Sequence, residues 1–159
     1  MTLPPFATLV EEHRTAVWGY LVAKAGPAAA ADLLQDTLLS ALRAYPSLRD
    51  ASNLRGWLLS VARSRVIDGA RARARRPEVV GDVPEREQRE AWAEAWQAEP
   101  DDALWCAVGN LPEKQRHAVV LRFVGDLPYG EIAELVECSE AAARQNVRAG
   151  LARLRKELS

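Results

Sequence analysis

The sequence is poor in the residues that build reactive or cross-linked sites: two cysteines, two histidines and one methionine in 159 residues. Cys106 and Cys138 are too few for a disulfide framework and lack metal-ligand spacing, which argues against a secreted scaffold or a structural zinc site. His13 and His117 have no ligand-spaced companion, and Glu11 and Glu12 do not face each other on a helix. There is no glycine-rich phosphate loop and no nucleophile elbow. Neither an enzyme nor a bound cofactor is expected. No apolar run approaches the ~18 residues of a membrane span, and no basic segment followed by an apolar stretch opens the chain. The expectation is a cytoplasmic protein without membrane insertion. A formal net charge of −1 also excludes a uniform basic field able to hold duplex DNA by charge alone.

What is present is 48% hydrophobic and 27% charged residues, the composition of a soluble globular chain. The charge is unevenly spread. Residues 1–76 hold 11 Lys/Arg against 6 Asp/Glu, residues 77–102 hold 2 against 9, and residues 103–159 hold 8 against 7. A basic first part, an acidic middle and a mixed end read as two modules, 1–76 and 103–159, joined by an acidic linker.

Apolar spacing is helical almost throughout, with no β-type alternation and no internal repeat. A first helix starts at Phe6 and breaks at Ala25-Gly26-Pro27. A second covers about Ala28 to Tyr45, with Leu33, Leu34, Leu38, Ala41, Leu42 and Tyr45 on one side. Pro46 to Asn53 has turn chemistry, and a third helix runs from Leu54 into Arg71-Ala72-Arg73-Ala74-Arg75-Arg76, stopped by Pro77. Within the linker, Glu85 to Ala98 could form a short helix carrying Trp92 and Trp96. These tryptophans either pack on a neighbouring module or fill a partner's groove. The acidic charge of the segment suits a mobile stretch of chain. The fold class expected is all-α.

The last module carries the most specific local pattern. Leu111-Pro112-Glu113 opens a helix with proline in its first turn, and the helix continues to Gly125. A short helix covers Tyr129 to Val136, Glu137-Cys138-Ser139 makes a tight turn, and Ser139 caps a long helix from Glu140 to Leu158. Two helices joined by a three-residue turn match a helix-turn-helix. On the second of them Ala143 and Val147 face inward while Glu140, Ala141, Arg144, Gln145 and Arg148 face out. That is the mix expected on a helix entering a major groove. By itself this segment also fits a stand-alone helix-turn-helix regulator.

The chain as a whole resembles a sigma factor of bacterial RNA polymerase, of the small extracytoplasmic-function group that keeps only regions two and four. Three ordered motifs carry the resemblance. Asp32-Leu33-Leu34-Gln35-Asp36-Thr37-Leu38-Leu39-Ser40-Ala41-Leu42 is similar to the family's clamp-binding helix. Asn53-Leu54-Arg55-Gly56-Trp57-Leu58-Leu59-Ser60-Val61-Ala62-Arg63, followed by Val66-Ile67-Asp68 and the arginine run, is the second. Leu111-Pro112-Glu113-Lys114-Gln115-Arg116 with Leu127-Pro128-Tyr129-Gly130-Glu131-Ile132-Ala133 is the third.

The resemblance implies promoter DNA and the RNA polymerase core enzyme as partners, together with an anti-sigma factor. It also implies roles. Asp32, Leu33, Gln35 and Asp36 would bind the core enzyme. Leu48, Asn53, Trp57, Arg63, Arg71, Arg73, Arg75 and Arg76 would receive the melted minus-ten element, because an unpaired base needs a shaped loop, an apolar wall and cations for its phosphates. Trp57 shares an apolar stripe with Leu54 and Val61 and so also fits the core. Glu140, Ala141, Arg144, Gln145 and Arg148 would bind the upstream element. The chain departs from the family pattern in having Leu48 where an aromatic is frequent, Asp50 near a usual glycine, and Glu137 in place of a turn glycine.

Overall fold

Proline and glycine set the ends of the first helices in a computed structural model, which describes residues 2–74 and 102–159, the side chains of 73, 74 and 102 apart. Helix α1, Phe6–Ala25, stops at Gly26, whose φ of 81° suits a residue without a Cβ. Pro27 then takes the first position of α2, Pro27–Ala44, where its missing N–H costs no helical bond. A single 3-10 turn, Tyr45–Ser47, leads into the loop.

Helix α3, Leu54–Ala74, runs to the edge of the described residues. Asn53 caps it: the Gly56 N–H donates to Asn53 Oδ1 at 2.8 Å. A Cβ at Gly56 would come within 2.4 Å of the Asn53 amide, so glycine leaves room for the cap. Just before it, the Ser52 N–H donates to Asp50 Oδ1 at 2.8 Å, a local Asx turn that lowers the Asp50 pKa.

The second module comprises α4 (Asp102–Gly109), α5 (Glu113–Phe123), α6 (Tyr129–Val136) and α7 (Glu140–Glu157). The first helix signal of this module in the sequence is at Leu111-Pro112, and α4 precedes it unannounced. Eight residues give barely two turns, too few for an apolar period to declare itself. The turn between α6 and α7 has Glu137 in the left-handed region at φ 58°, ψ 51°, the strain foreseen where glycine is absent. Ser139 Oγ accepts the Ala142 N–H at 3.1 Å and caps α7 as expected. Among the described residues there are helices and turns but no strand.

The core is continuous across both modules. α1 packs on α2 and α3 and, on another side, on α5, while α5 and α6 both pack on α7. From Ala16 to Ala23 every residue but Trp18 is buried, so this stretch of α1 is covered on nearly all sides. Leu9, Leu21 and Leu58 from the first module and Leu121, Leu127 and Ile132 from the second are fully enclosed. The closest approach of the modules is backbone to backbone. A Cβ built on Gly19 would lie 2.2 Å from Gly125 Cα. Only glycine lets α1 and the end of α5 touch there. The linker expectations lie outside the described residues, including the short helix at Glu85–Ala98, Trp92 and Trp96, and the mobility of the segment.

Candidate polymerase and nucleic-acid interfaces

The first face lies on α2. Leu34, Thr37 and Ala41 are buried against α1 and α3, and Thr37 Oγ1 donates to the Leu33 carbonyl at 2.6 Å, so its hydroxyl is satisfied. That orientation exposes Asp32, Gln35 and Asp36 together and leaves Leu33 half-buried at the edge. The same face also exposes Leu39 and Leu42, at 46% and 50%. Leu42, expected on the packed side, is exposed because the partners of α2, namely α1, α3 and the 3-10 turn, cover its other side. A polar stripe ending in two bare leucines has the composition of a docking surface.

The second face is the loop before α3 and the flank of α3. Trp57 is half-buried, its ring 6.0 Å from that of Tyr45, which in turn meets Phe6 edge-on at 5.3 Å. The Tyr45 hydroxyl donates to the Pro4 carbonyl at 2.6 Å and fixes the cluster. Leu48 is half-buried beside this turn, and Asn53 is exposed while its Oδ1 is engaged as the α3 cap. Arg63 and Arg71 are exposed on α3. The Arg73 side chain, Arg75 and Arg76 lie outside the described residues.

The third face is α7. Ala143 and Val147 are buried, and Glu140, Ala141, Arg144, Gln145 and Arg148 are all exposed. Arg144 is held by its surroundings: it donates to Glu140 Oε1 at 2.5 Å, and its guanidinium lies 5.1 Å from the Tyr129 ring centre. Arg122 lies 5.0 Å from the same ring.

Sequence reasoning missed the contact between the modules, which is where charges converge. Arg55 of α3 forms an ion pair with Glu131 of α6. A cleft of about 370 Å³ between these helices is lined by Asn53, Gly56, Ser60 and Arg63 on one side and Glu131 and Glu134 on the other. A neighbouring cleft brings Lys24, Arg63 and His117 together with Glu113, Glu134 and Glu137. Burial lowers the Lys24 pKa and nearby Arg63 lowers it further, whereas Glu113 and Glu137 oppose the change. One clue was available in the sequence. Gly19 sits inside an otherwise strong helix, where glycine costs about 1 kcal/mol relative to alanine unless a close approach requires it.

His117 is 4% exposed at this junction. Burial above all, then the charges of Lys24 and Arg116, push its pKa down to about 3, against a hydrogen bond to the Ala23 backbone. The folded protein thus keeps His117 neutral where the unfolded chain, with an ordinary value of 6.5, takes up a proton. Stability from this group is intact above about pH 6.5 and is lost as the pH falls toward 3. Urea unfolding at pH 7 and pH 5 should show the wild-type chain losing about 2 kcal/mol more than a His117→Leu variant. Equal losses would mean that His117 is not held neutral.

Two helical modules, the second ending in a helix-turn-helix with an arginine-bearing outer face, have the architecture of a DNA-binding protein. The comparisons give the class a name. Sigma-70 region 2 matches residues 9–76 and Sigma-70, region 4 matches residues 101–154. The ECF RNA polymerase sigma factor RpoE of Cereibacter sphaeroides is 28% identical over 97% of this chain and 86% of its own length. SigM of Bacillus subtilis is 31% identical over 81% of this chain and 77% of its own. CarQ of Myxococcus xanthus is 30% identical over 96% of this chain and 88% of its own. A solved structure, the sigma factor RpoE in complex with the anti-sigma factor NepR from Bartonella quintana, has the same fold. It matches with a TM-score of 0.64 at 22% identity over 96% of both chains.

The chain belongs to the extracytoplasmic-function sigma factors of RNA polymerase. It is a transcription-initiation factor and not a stand-alone regulator. Among the described residues no helix is long and apolar enough to cross a membrane.

Proposed function

We propose that this sigma factor divides its work among the three faces. Residues 1–76 act as the region-two module, 77–102 as a linker and 103–159 as the region-four module. In this reading α2 docks on the core enzyme through Asp32, Leu33, Gln35 and Asp36, joined by Leu39 and Leu42. The loop and α3 receive the melted minus-ten element: Leu48 and Trp57 as apolar walls, Asn53 at the α3 cap, and Arg63, Arg71, Arg73, Arg75 and Arg76 along the phosphates. Helix α7 enters the upstream major groove with Glu140, Ala141, Arg144, Gln145 and Arg148 outward. The protein works in the cytoplasm, carries no catalytic site of its own and is held in check by an anti-sigma factor, as the Bartonella relative is bound by one.

The observation that carries this reading is the common exposure of Asp32, Gln35, Asp36 and Leu39 on one side of α2 while Leu34, Thr37 and Ala41 hold the other side to the core. For the DNA face, the test is promoter melting by holoenzyme containing Arg63→Ala with Arg71→Ala. Permanganate reactivity of the unpaired thymines should fall at least about tenfold on duplex promoter, and a template with the bubble already open should restore transcription. Normal melting by the variant would remove α3 from the strand path.

A further inference from the structure

The loop that follows the 3-10 turn is short and open, and both its ends are tied to one aromatic cluster. On the entering side the Leu48 N–H donates to the Tyr45 carbonyl at 3.1 Å. On the leaving side the Trp57 N–H donates to the Asn53 carbonyl at 3.0 Å. Between these ends Arg49, Asp50, Ser52 and Asn53 are exposed. The Tyr45 and Trp57 rings, 6.0 Å apart, therefore set how far the neck of the loop opens. Tyr45 is 8% exposed, and the first residues of the chain hold it: Phe6 meets its ring edge-on, and the Pro4 carbonyl accepts its hydroxyl.

That carbonyl belongs to a stiff stretch. Proline rings fix φ at about −65° in both Pro4 and Pro5, and a following proline also keeps Pro4 extended. The Pro5 carbonyl accepts the Thr8 and Leu9 N–H groups at 3.0 and 3.2 Å, which anchors the pair to α1. Two consecutive prolines lose little backbone freedom on folding, so the Pro4 carbonyl points one way before Tyr45 meets it. The bond joins residues 41 positions apart and ties the loop to a helix packed on both α2 and α3.

We propose that Pro4-Pro5-Phe6 is a strap that positions the loop assigned to the minus-ten element, acting through Tyr45 on Leu48 and Trp57. The inference rests on assigning that loop to the melted strand. Pro4, Pro5, Phe6 and Tyr45 are positioning residues and touch no base themselves. A base out of its stack is selected by the shape of the pocket that receives it, and a wall displaced by about 1 Å loses that selection.

The test uses holoenzyme assembled from purified core polymerase and the full chain. Its probe is a template with a preopened bubble, the non-template strand randomised at the unpaired positions. Sequencing the bound fraction gives the base preference at each position as a ratio, from which the amount of folded protein cancels. Tyr45→Phe keeps the ring and removes only the hydroxyl, whereas Pro4→Gly with Pro5→Gly keeps both carbonyls and loosens the strap. Each should lower the preference about fivefold, the order of one hydrogen bond, at positions that Leu48→Ala also affects. Core affinity should stay within about twofold of wild type. Because both changes act on the same bond, the triple variant should lose no more than either alone.

Wild-type preference in Tyr45→Phe or in the glycine variant overturns the proposal. So do losses that multiply in the triple variant, since strap and hydroxyl would then act separately. A preference that falls only at positions untouched by Leu48→Ala overturns it as well. Failure of the underlying assignment looks different. If Leu48→Ala and Trp57→Ala both leave the preference at its wild-type value, the loop does not receive the strand. If they lower it while Tyr45→Phe and the glycine variant do not, only the strap is refuted.

Discussion

Changing Gln35, Asp36 and Leu39 together to alanine should weaken binding to core RNA polymerase about a hundredfold, equivalent to about 2.8 kcal/mol. All three side chains are exposed, so their removal leaves no cavity and no buried polar group without a partner. Leu34, Thr37 and Ala41 still hold α2 to the core, and alanine is the best helix former, so the thermal midpoint should stay near the wild-type value. The loss should therefore be one of docking, not of folding. Leu39 carries a large share because a bare leucine among acids gains most when a partner removes it from water. Titration of labelled protein with core enzyme reads the effect directly. An affinity within about twofold of wild type would take the α2 face out of the polymerase contact.

The second large effect is expected on α7. Arg144→Ala should cost about 1–3 kcal/mol of promoter affinity and relax the preference at one base position, because the residue lies nearer the helix end that the proposed docking brings into the groove. Glu140 and Tyr129 already hold its guanidinium, so less ordering is left to be done on binding. Arg148→Ala should lower affinity evenly across sequences and reduce the salt slope by about one, the signature of a lost phosphate contact. Holoenzyme binding to a promoter library at two salt concentrations distinguishes the two outcomes. Unchanged preference and unchanged salt slope in both variants would remove α7 from the recognition surface.

Helix boundaries were legible in the sequence wherever proline, glycine or a capping side chain marks them. Gly26-Pro27, Asn53, Pro112 and Ser139 all act where the pattern places them. The inward turn of Ala143 and Val147 was legible for a related reason, since their spacing of four puts them on one stripe. Leu42 was not, because helical period tells which residues share a side but not how far a neighbouring helix extends to cover it. Helix α4 was too short for its period to show. The meeting of α1 with α5 joins residues more than a hundred positions apart, and no local pattern encodes it. Only the two glycines hint at it, and their purpose appears once both backbones are seen together. The pair Arg55–Glu131 is hidden for the same reason: each residue alone reads as a solvated charge on an amphipathic helix.

The most direct measurement of what this protein does is initiation by purified core RNA polymerase on a pool of genomic fragments, with and without the purified chain. The expected result is a small set of discrete transcript starts that appear only when the chain is present. Those starts should disappear with the Gln35, Asp36 and Leu39 triple variant. Transcription that is unchanged by the chain, while the chain binds promoter fragments without polymerase, would contradict its role as a sigma factor.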